Sequence, residues 1–301
     1  MSLDFGGVLR RAWQLTWNYK LLWLFGVFSA ALAGSGGGRP GGNFQFDFNN
    51  PRQIMPSQLR SLDETTVWLI LLGVAALIIL LGIVLFILAI YSRGALIGGV
   101  LTADQQSRVS FGEASAFGRK YFWTVLGIGL VVWVVGLALG LMSIISFLTV
   151  CLAPLACIGF IVIALLGVYA RLAQITAIND AVGLSEALPR AWRFITTNLG
   201  SVFLMGLILV ILQAVISFVA ALPFIALALP AILVVIGYAN DAPIAGNVGL
   251  AVAGLCVVAY LPILIVLSGI VETWVMAAWT LTYKQLTGRA PAPAAPAALP
   301  A

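Results

Sequence analysis

Long apolar stretches separated by short polar ones run through almost the whole chain. Six are read as membrane-crossing helices, which need roughly 20 mostly apolar residues. They are Leu21 to Ala33, Val67 to Tyr91, Tyr121 to Phe147, Pro154 to Ala170, Leu199 to Leu222 and Asn247 to Val271. The first is short and is expected to recruit Trp17 to Lys20 at the interface, where Trp, Tyr and Lys are at home. One further apolar stretch, Pro223 to Ala239, contains Pro223 and Pro230. A proline costs a helix interior about 3 kcal/mol. The stretch reads either as a seventh span or as a re-entrant or interfacial segment packed on protein.

The segments that lead into the spans have a helical period of their own. Phe5, Leu9, Ala12 and Trp13 are expected on one face of a short helix, with Arg10, Arg11 and Gln14 facing away. Leu184, Leu188, Ala191 and Ile195 likewise oppose Glu186, Arg190, Arg193 and Thr197. Arg11-Ala12-Trp13 and Arg190-Ala191-Trp192 are the same tripeptide, each a few residues before a span. Ser110 to Trp123 is a looser copy, in which Ser110 and Glu113 have capping-box spacing. With Ser185 as the cap of its helix, Pro189 falls within the first turn. Such helices at the water boundary are interfacial elements.

The segments that leave the membrane also match. Tyr91-Ser92-Arg93 is followed by Ala95 and Ile97 and closes at Asp104. Tyr169-Ala170-Arg171 is followed by Ala173 and Ile175 and closes at Asp180. A third copy, Glu272 to Lys284, keeps the length but loses the Tyr-x-Arg. Self-similarity of this kind indicates repeated units. The expected fold is an all-α, polytopic membrane helix bundle: six transmembrane helices as three repeated units of an interfacial helix and two spans. The units are about 1–107, 108–182 and 183–289, a single transmembrane domain, followed by a disordered Ala/Pro tail over 290–301. Pro223 to Ala239 then occupies the outer-loop position of the third unit, which favours the re-entrant or interfacial reading.

Composition narrows the class. Of 301 residues, 62% are hydrophobic and 8% are charged, against roughly 25% charged in a soluble domain. Soluble globular and disordered chains are excluded. The net charge of +5 comes from 15 basic and 10 acidic residues. In the six-span arrangement the three outer cations are Arg39, Arg52 and Arg60, and the remaining twelve lie on the inner side. The positive-inside rule therefore places both termini in the cytoplasm and accounts for the basic balance without nucleic acid. Arg10 and Arg11 precede an apolar stretch with no Ala-x-Ala-like site, which reads as an uncleaved signal anchor. The chain has no histidine, which excludes Ser-His-Asp and Cys-His catalysis and His-ligated metal or haem. Cys151, Cys157 and Cys256 lie in apolar runs and form no CxxC motif; they read as small hydrophobes.

A few polar residues stand out against this background. Glu272 lies in an apolar run from Leu255 to Tyr283. An ionisable group at membrane depth costs roughly 2.5–3.5 kcal/mol on insertion scales and marks a functional position or a structural ion pair. Arg93 and Arg171, just after Tyr91 and Tyr169, fall at the inner boundary. These four are candidates for a lipid headgroup, since a planar guanidinium suits phosphate. Snorkelling, or pairing of one arginine with Glu272, are the alternatives. Gly34 to Gly42 lacks the Gly-Lys-Ser/Thr ending of a phosphate loop and reads as a flexible linker. Phe44, Phe46 and Phe48 after it cap the bundle or touch the outer membrane surface. Gly94 with Gly98, and Gly136 with Gly140, have close-packing spacing. No catalytic set, metal site or cofactor site is read, and no enzyme is expected.

The arrangement resembles the membrane domain of bacterial glycerophosphoryl diester phosphodiesterases and related six-span bacterial membrane families. The likeness rests on the two Arg-Ala-Trp helices, the Tyr91 to Ile97 run and Ser185-Glu186-Ala187, and it spans most of Leu3 to Lys284. Those phosphodiesterases carry a soluble catalytic domain after the membrane part, where this chain has its Ala/Pro tail. The resemblance thus implies a fold, a bacterial inner membrane and a lipid setting, but no phosphodiesterase activity. The expected role is a non-catalytic, lipid-associated or partner-scaffolding membrane domain. Membrane lipids are the expected partners, and a protein partner or homo-oligomer is left open. The alternative is a small-molecule or ion transporter that uses Glu272 and the Pro223 to Pro230 segment.

Overall fold

The computed structural model describes residues 4–33, 64–106, 109–148, 153–239 and 243–288. Every element among them is helical: α1 (Phe5–Asn18), α2 (Leu21–Ala33), α3 (Glu64–Gln106), α4 (Phe111–Lys120), α5 (Phe122–Leu148), α6 (Ala153–Asn179), α7 (Leu184–Thr197), α8 (Leu199–Ala239) and α9 (Pro243–Thr287). Five of these, α3, α5, α6, α8 and α9, are long and apolar enough to cross a membrane. The protein is an all-helical membrane bundle.

The packed core lies at one end of the bundle. It is built from the second half of α3, from Ala89 to Ala103, and the last turns of α6 and α9. Small residues dominate there: Gly94, Ala95, Gly98, Gly99, Ala173, Ala177, Ala277 and Ala278. Small side chains let helix backbones approach closely where lipid supplies no hydrophobic drive. Gly94 and Gly98 face Gly118 and Phe117 of α4, and Gly26 of α2 meets Gly269 of α9. The buried threonines Thr102, Thr176, Thr280 and Thr282 each donate to the carbonyl four residues earlier. Their hydroxyls therefore need no partner from another helix.

The three short helices wrap this core: α4 packs on α3, α7 on α6 and α1 on α9. In α1 the buried stripe is Val8, Ala12 and Leu15, with Trp13 half exposed. The expected apolar face is therefore rotated, because the protein takes the small residues and leaves the tryptophan at the surface. In α7 the stripe is Ala187, Ala191 and Phe194. The Ser110–Glu113 capping box is formed in both directions, at 3.2 and 3.3 Å. The cap of α7 is Gly183, not Ser185, so Pro189 sits in the second turn rather than the first.

The helices pair as α5 with α6 and α8 with α9, while the short α2 lies between α3 and α9 and packs on both. Beyond the core, the side chains of the long helices are largely exposed, from Leu69 through Ile87 on α3 for example. Two expectations change. α1 ends at Asn18 and a new helix starts at Leu21, so Trp17 to Lys20 do not lengthen the first span. α2 has 13 residues, about 20 Å at 1.5 Å per residue. Pro223 to Ala239 is neither re-entrant nor a separate span: α8 continues through Pro223 and Pro230 to Ala239. Near its middle, α8 is tied to α9, where the Tyr260 hydroxyl donates to the Ala220 carbonyl at 2.8 Å. The readings of Gly34 to Gly42, Phe44, Phe46, Phe48, Cys151 and the Ala/Pro tail fall outside the described residues. Cys256 is a free thiol.

A Cβ at Gly118 would lie 2.7 Å from the Tyr91 carbonyl oxygen, and one at Gly269 would lie 2.8 Å from the Val27 backbone nitrogen. Gly118→Ala and Gly269→Ala are each expected to destabilise the protein by about 1–3 kcal/mol. Gly140→Ala, with nothing within 4 Å, should be neutral. Thermal midpoints in one detergent compare the three directly.

Candidate functional site

Three of the residues singled out in the sequence meet inside the core. Arg93 comes from α3, Arg171 from α6 and Glu272 from α9, the three helices that form its centre. Arg171 Nη2 lies 3.6 Å from Glu272 Oε2. The Glu272 side chain is 3% exposed and that of Arg171 is 23% exposed. Arg93 is within electrostatic reach of both. The cluster therefore holds two cations and one anion.

Its hydrogen bonding is incomplete. Among the described residues, Arg93 Nε, Glu272 Oε1 and Gln174 Oε1 are buried with no protein partner. Gln174 is 1% exposed and lies one turn after Arg171 on the same side of α6, since i and i+3 share a face. Unpaired buried polar atoms are rare in folded proteins and cost about 1–3 kcal/mol each. Here one donor and two acceptors on three residues of the core are left open.

The tyrosine hydroxyls donate to the backbone of the short helices. Tyr91 Oη donates to the Ser115 carbonyl at 2.9 Å, and Tyr169 Oη donates to the Leu188 carbonyl at 3.1 Å. Each ties a core helix to the short helix that follows it. Neither hydroxyl donates into the charged centre.

A second layer of charge closes the same end of the bundle. Asp104 receives Arg11 at 3.3 Å and Lys284, joining α1, α3 and α9. Asp180 receives Arg190 at 3.6 Å and the Tyr283 hydroxyl at 3.2 Å, joining α6, α7 and α9. Arg190 also reaches Glu186 at 2.7 Å. Clefts of about 500 and 490 Å³ lie over these two groups, one on each side of the α9 terminus. Asp104, Asp180 and Gln174 were not read as partners in the sequence. Their only signal is an acid or amide at the end of an apolar run, which does not say where the other half of the pair lies.

Arg11 and Arg190 thus face inward to carboxylates, whereas Trp13 and Trp192 face outward. Trp13 also meets Trp17 and the buried Trp274 edge-on, at centroid distances of 5.5 and 5.8 Å, and Trp17 meets Trp23 at 5.1 Å. Trp274 is two residues from Glu272, so the charged centre lies level with a cluster of tryptophans. No group of His, Cys, Asp or Glu among the described residues could hold a metal ion.

No protein-family model matches the chain, and no curated protein or solved structure matches it.

Breaking a buried ion pair from one side costs about 3–5 kcal/mol, because the remaining charge stays buried. Glu272→Gln, which leaves two guanidiniums together, is expected to lose that much. Arg171→Gln/Glu272→Gln should be less destabilised than Glu272→Gln alone. A double-mutant cycle completed by Arg171→Gln and read by thermal unfolding in detergent measures the coupling, and a double-mutant loss equal to the sum of the two single losses would mean that the pair carries none.

Proposed function

We propose that the protein is a non-catalytic, six-span domain of a bacterial inner membrane, made of three repeated units, that associates with membrane lipid through its basic end. The supporting observation is the surface of that end. Trp13, Trp17, Phe111, Trp123 and Trp192 are exposed around the core, and Arg10, Arg119, Lys120 and Arg193 lie on the same short helices. Amphipathic aromatic rings and cations at one level are what a headgroup region selects. Above them the hairpins expose almost only apolar side chains.

The three-unit reading gains support from packing as well as sequence. The Tyr91 and Tyr169 hydroxyls bond to Ser115 and Leu188, which occupy the same register after the caps Ser110 and Gly183. In this reading α2, Leu21–Ala33, is the short first span. The positive-inside rule puts the basic end, with both termini, in the cytoplasm. The transport alternative retains Glu272 as a buried carboxylate but loses its broken helix, since α8 is continuous through Pro223 and Pro230.

Two measurements test this reading. Native mass spectrometry of the intact chain from mild detergent should find anionic phospholipid carried along; a lipid-free protein would remove the lipid role. In cysteine-free protein, single cysteines at Arg193 and Gln285 should react with an impermeant maleimide from the cytoplasmic side alone. Labelling from the opposite side would reverse the proposed orientation.

A further inference from the structure

Resting on the lipid reading above, we infer that Arg93, Arg171, Gln174 and Glu272 form a specific site for one phosphodiester headgroup that carries hydroxyl donors. The inference starts from charge. Two guanidiniums and one carboxylate leave the cluster with one uncompensated positive charge. A buried charge without a counter-charge is strongly disfavoured. A phosphodiester monoanion brings the total to zero; a zwitterionic headgroup leaves it unchanged.

The open hydrogen-bonding groups narrow the chemistry further. Arg93 Nε is a buried donor without an acceptor, and a phosphate oxygen is a strong acceptor for it. Glu272 Oε1 and Gln174 Oε1 are buried acceptors without donors. A bare phosphodiester has no proton to offer them. A phosphodiester esterified to a polyol has, since each hydroxyl donates once. Net charge and open valences together therefore favour a glycerol-type or other polyhydroxy headgroup over choline, which has no N–H, and over ethanolamine, which leaves the charge unbalanced.

Access and depth agree with this ligand. Arg171 keeps 23% of its side chain exposed and Arg93 is half-buried, so the cluster is reached past the two arginines, with Glu272 beneath them. From Trp68 to Arg93 the α3 helix rises about 37 Å at 1.5 Å per residue, more than a hydrocarbon core of about 30 Å. The adjoining tryptophan cluster of Trp13, Trp17, Trp23 and Trp274 has the composition of the headgroup boundary. The same phosphodiester and hydroxyls also occur in soluble glycerophosphodiesters, so the carrier is a separate question that the experiment addresses.

The test uses the full chain, delipidated in detergent, with native mass spectrometry as the readout. Phosphatidylglycerol, phosphatidic acid, phosphatidylethanolamine and phosphatidylcholine are titrated in turn. The expected result is a single phosphatidylglycerol bound at least about tenfold more tightly than the other three, the scale of one charge-assisted contact. Arg93→Gln should remove that preference while keeping the thermal midpoint of the lipid-free protein, because it deletes the uncompensated charge. Arg93→Lys should keep part of it. Glycerophosphoglycerol and dimethyl phosphate, a diester without hydroxyls, form the soluble arm. Competition by glycerophosphoglycerol at matched concentration would make the soluble diester the ligand of the same site, and its failure would assign the site to lipid. Competition by dimethyl phosphate as strong as by glycerophosphoglycerol would overturn the hydroxyl requirement. Equal binding of all four lipids, or an unchanged preference in Arg93→Gln, would overturn the site and leave the general lipid association standing. No retained lipid and no soluble competition would overturn both.

Discussion

Apolar helices gain no hydrophobic free energy by leaving lipid for one another, and the shape of this protein follows from that constraint. Helix association has to come from close backbone packing and from polar contacts. Both are concentrated in the last turns of α3, α6 and α9. There Gly94, Gly98 and Gly118 bring backbones together, and Arg171 meets Glu272. Beyond the core the side chains of these helices are largely exposed. The long apolar faces of α3 and α8 are thus the expected result of a sequence that gives lipid and protein the same kind of side chain to contact.

Within the core, charge performs two tasks at two depths. Asp104 with Arg11 and Lys284, and Asp180 with Arg190 and Tyr283, fasten the short helices to the ends of the core helices. These pairs are partly exposed, and each contributes little in isolation; their effect is to fix register among helices far apart in sequence. The deeper cluster differs in that Arg93 Nε and Glu272 Oε1 are buried without a partner among the described residues, whereas no side-chain polar atom of the Asp104 and Asp180 pairs is left so. A structural device alone would be better served by a neutral pair or by apolar residues. Those open buried atoms are what the proposed site has and the outer pairs lack.

Much of this was legible in the sequence. Glu272, Arg93 and Arg171 stood out because a charge at that depth is costly wherever it occurs. The tyrosines marked the same boundary. What the sequence could not reveal was the pairing. Arg11 and Asp104 are 93 residues apart and Lys284 and Asp104 are 180 apart, and nothing local to any of them names its partner. The face of α1 was misjudged for a related reason. An interfacial helix has two apolar environments, protein and lipid, so a single hydrophobic stripe cannot tell which residues enter the core. Size decides it: Ala12 goes in and Trp13 stays out. Pro223 and Pro230 misled because a proline removes one donor and strains one turn, whereas in a bilayer every exposed backbone group must be satisfied. Breaking the helix would have opened several such groups at each site.

The imperfection of the third copy then has a physical explanation. Arg93 and Arg171 occupy matching places in the first two proposed units, and the third copy, which opens at Glu272, has no arginine in that stretch. Three guanidiniums converging on one axis would repel one another in a medium that screens poorly. A carboxylate in the third place joins the two arginines through attraction and leaves one positive charge over. Full symmetry would have made the core unstable, and two carboxylates with one arginine would have made it anionic and repelled phosphate. In the proposed three-unit reading, the departure from the repeat is therefore what would let the units close around a common centre and still attract an anion.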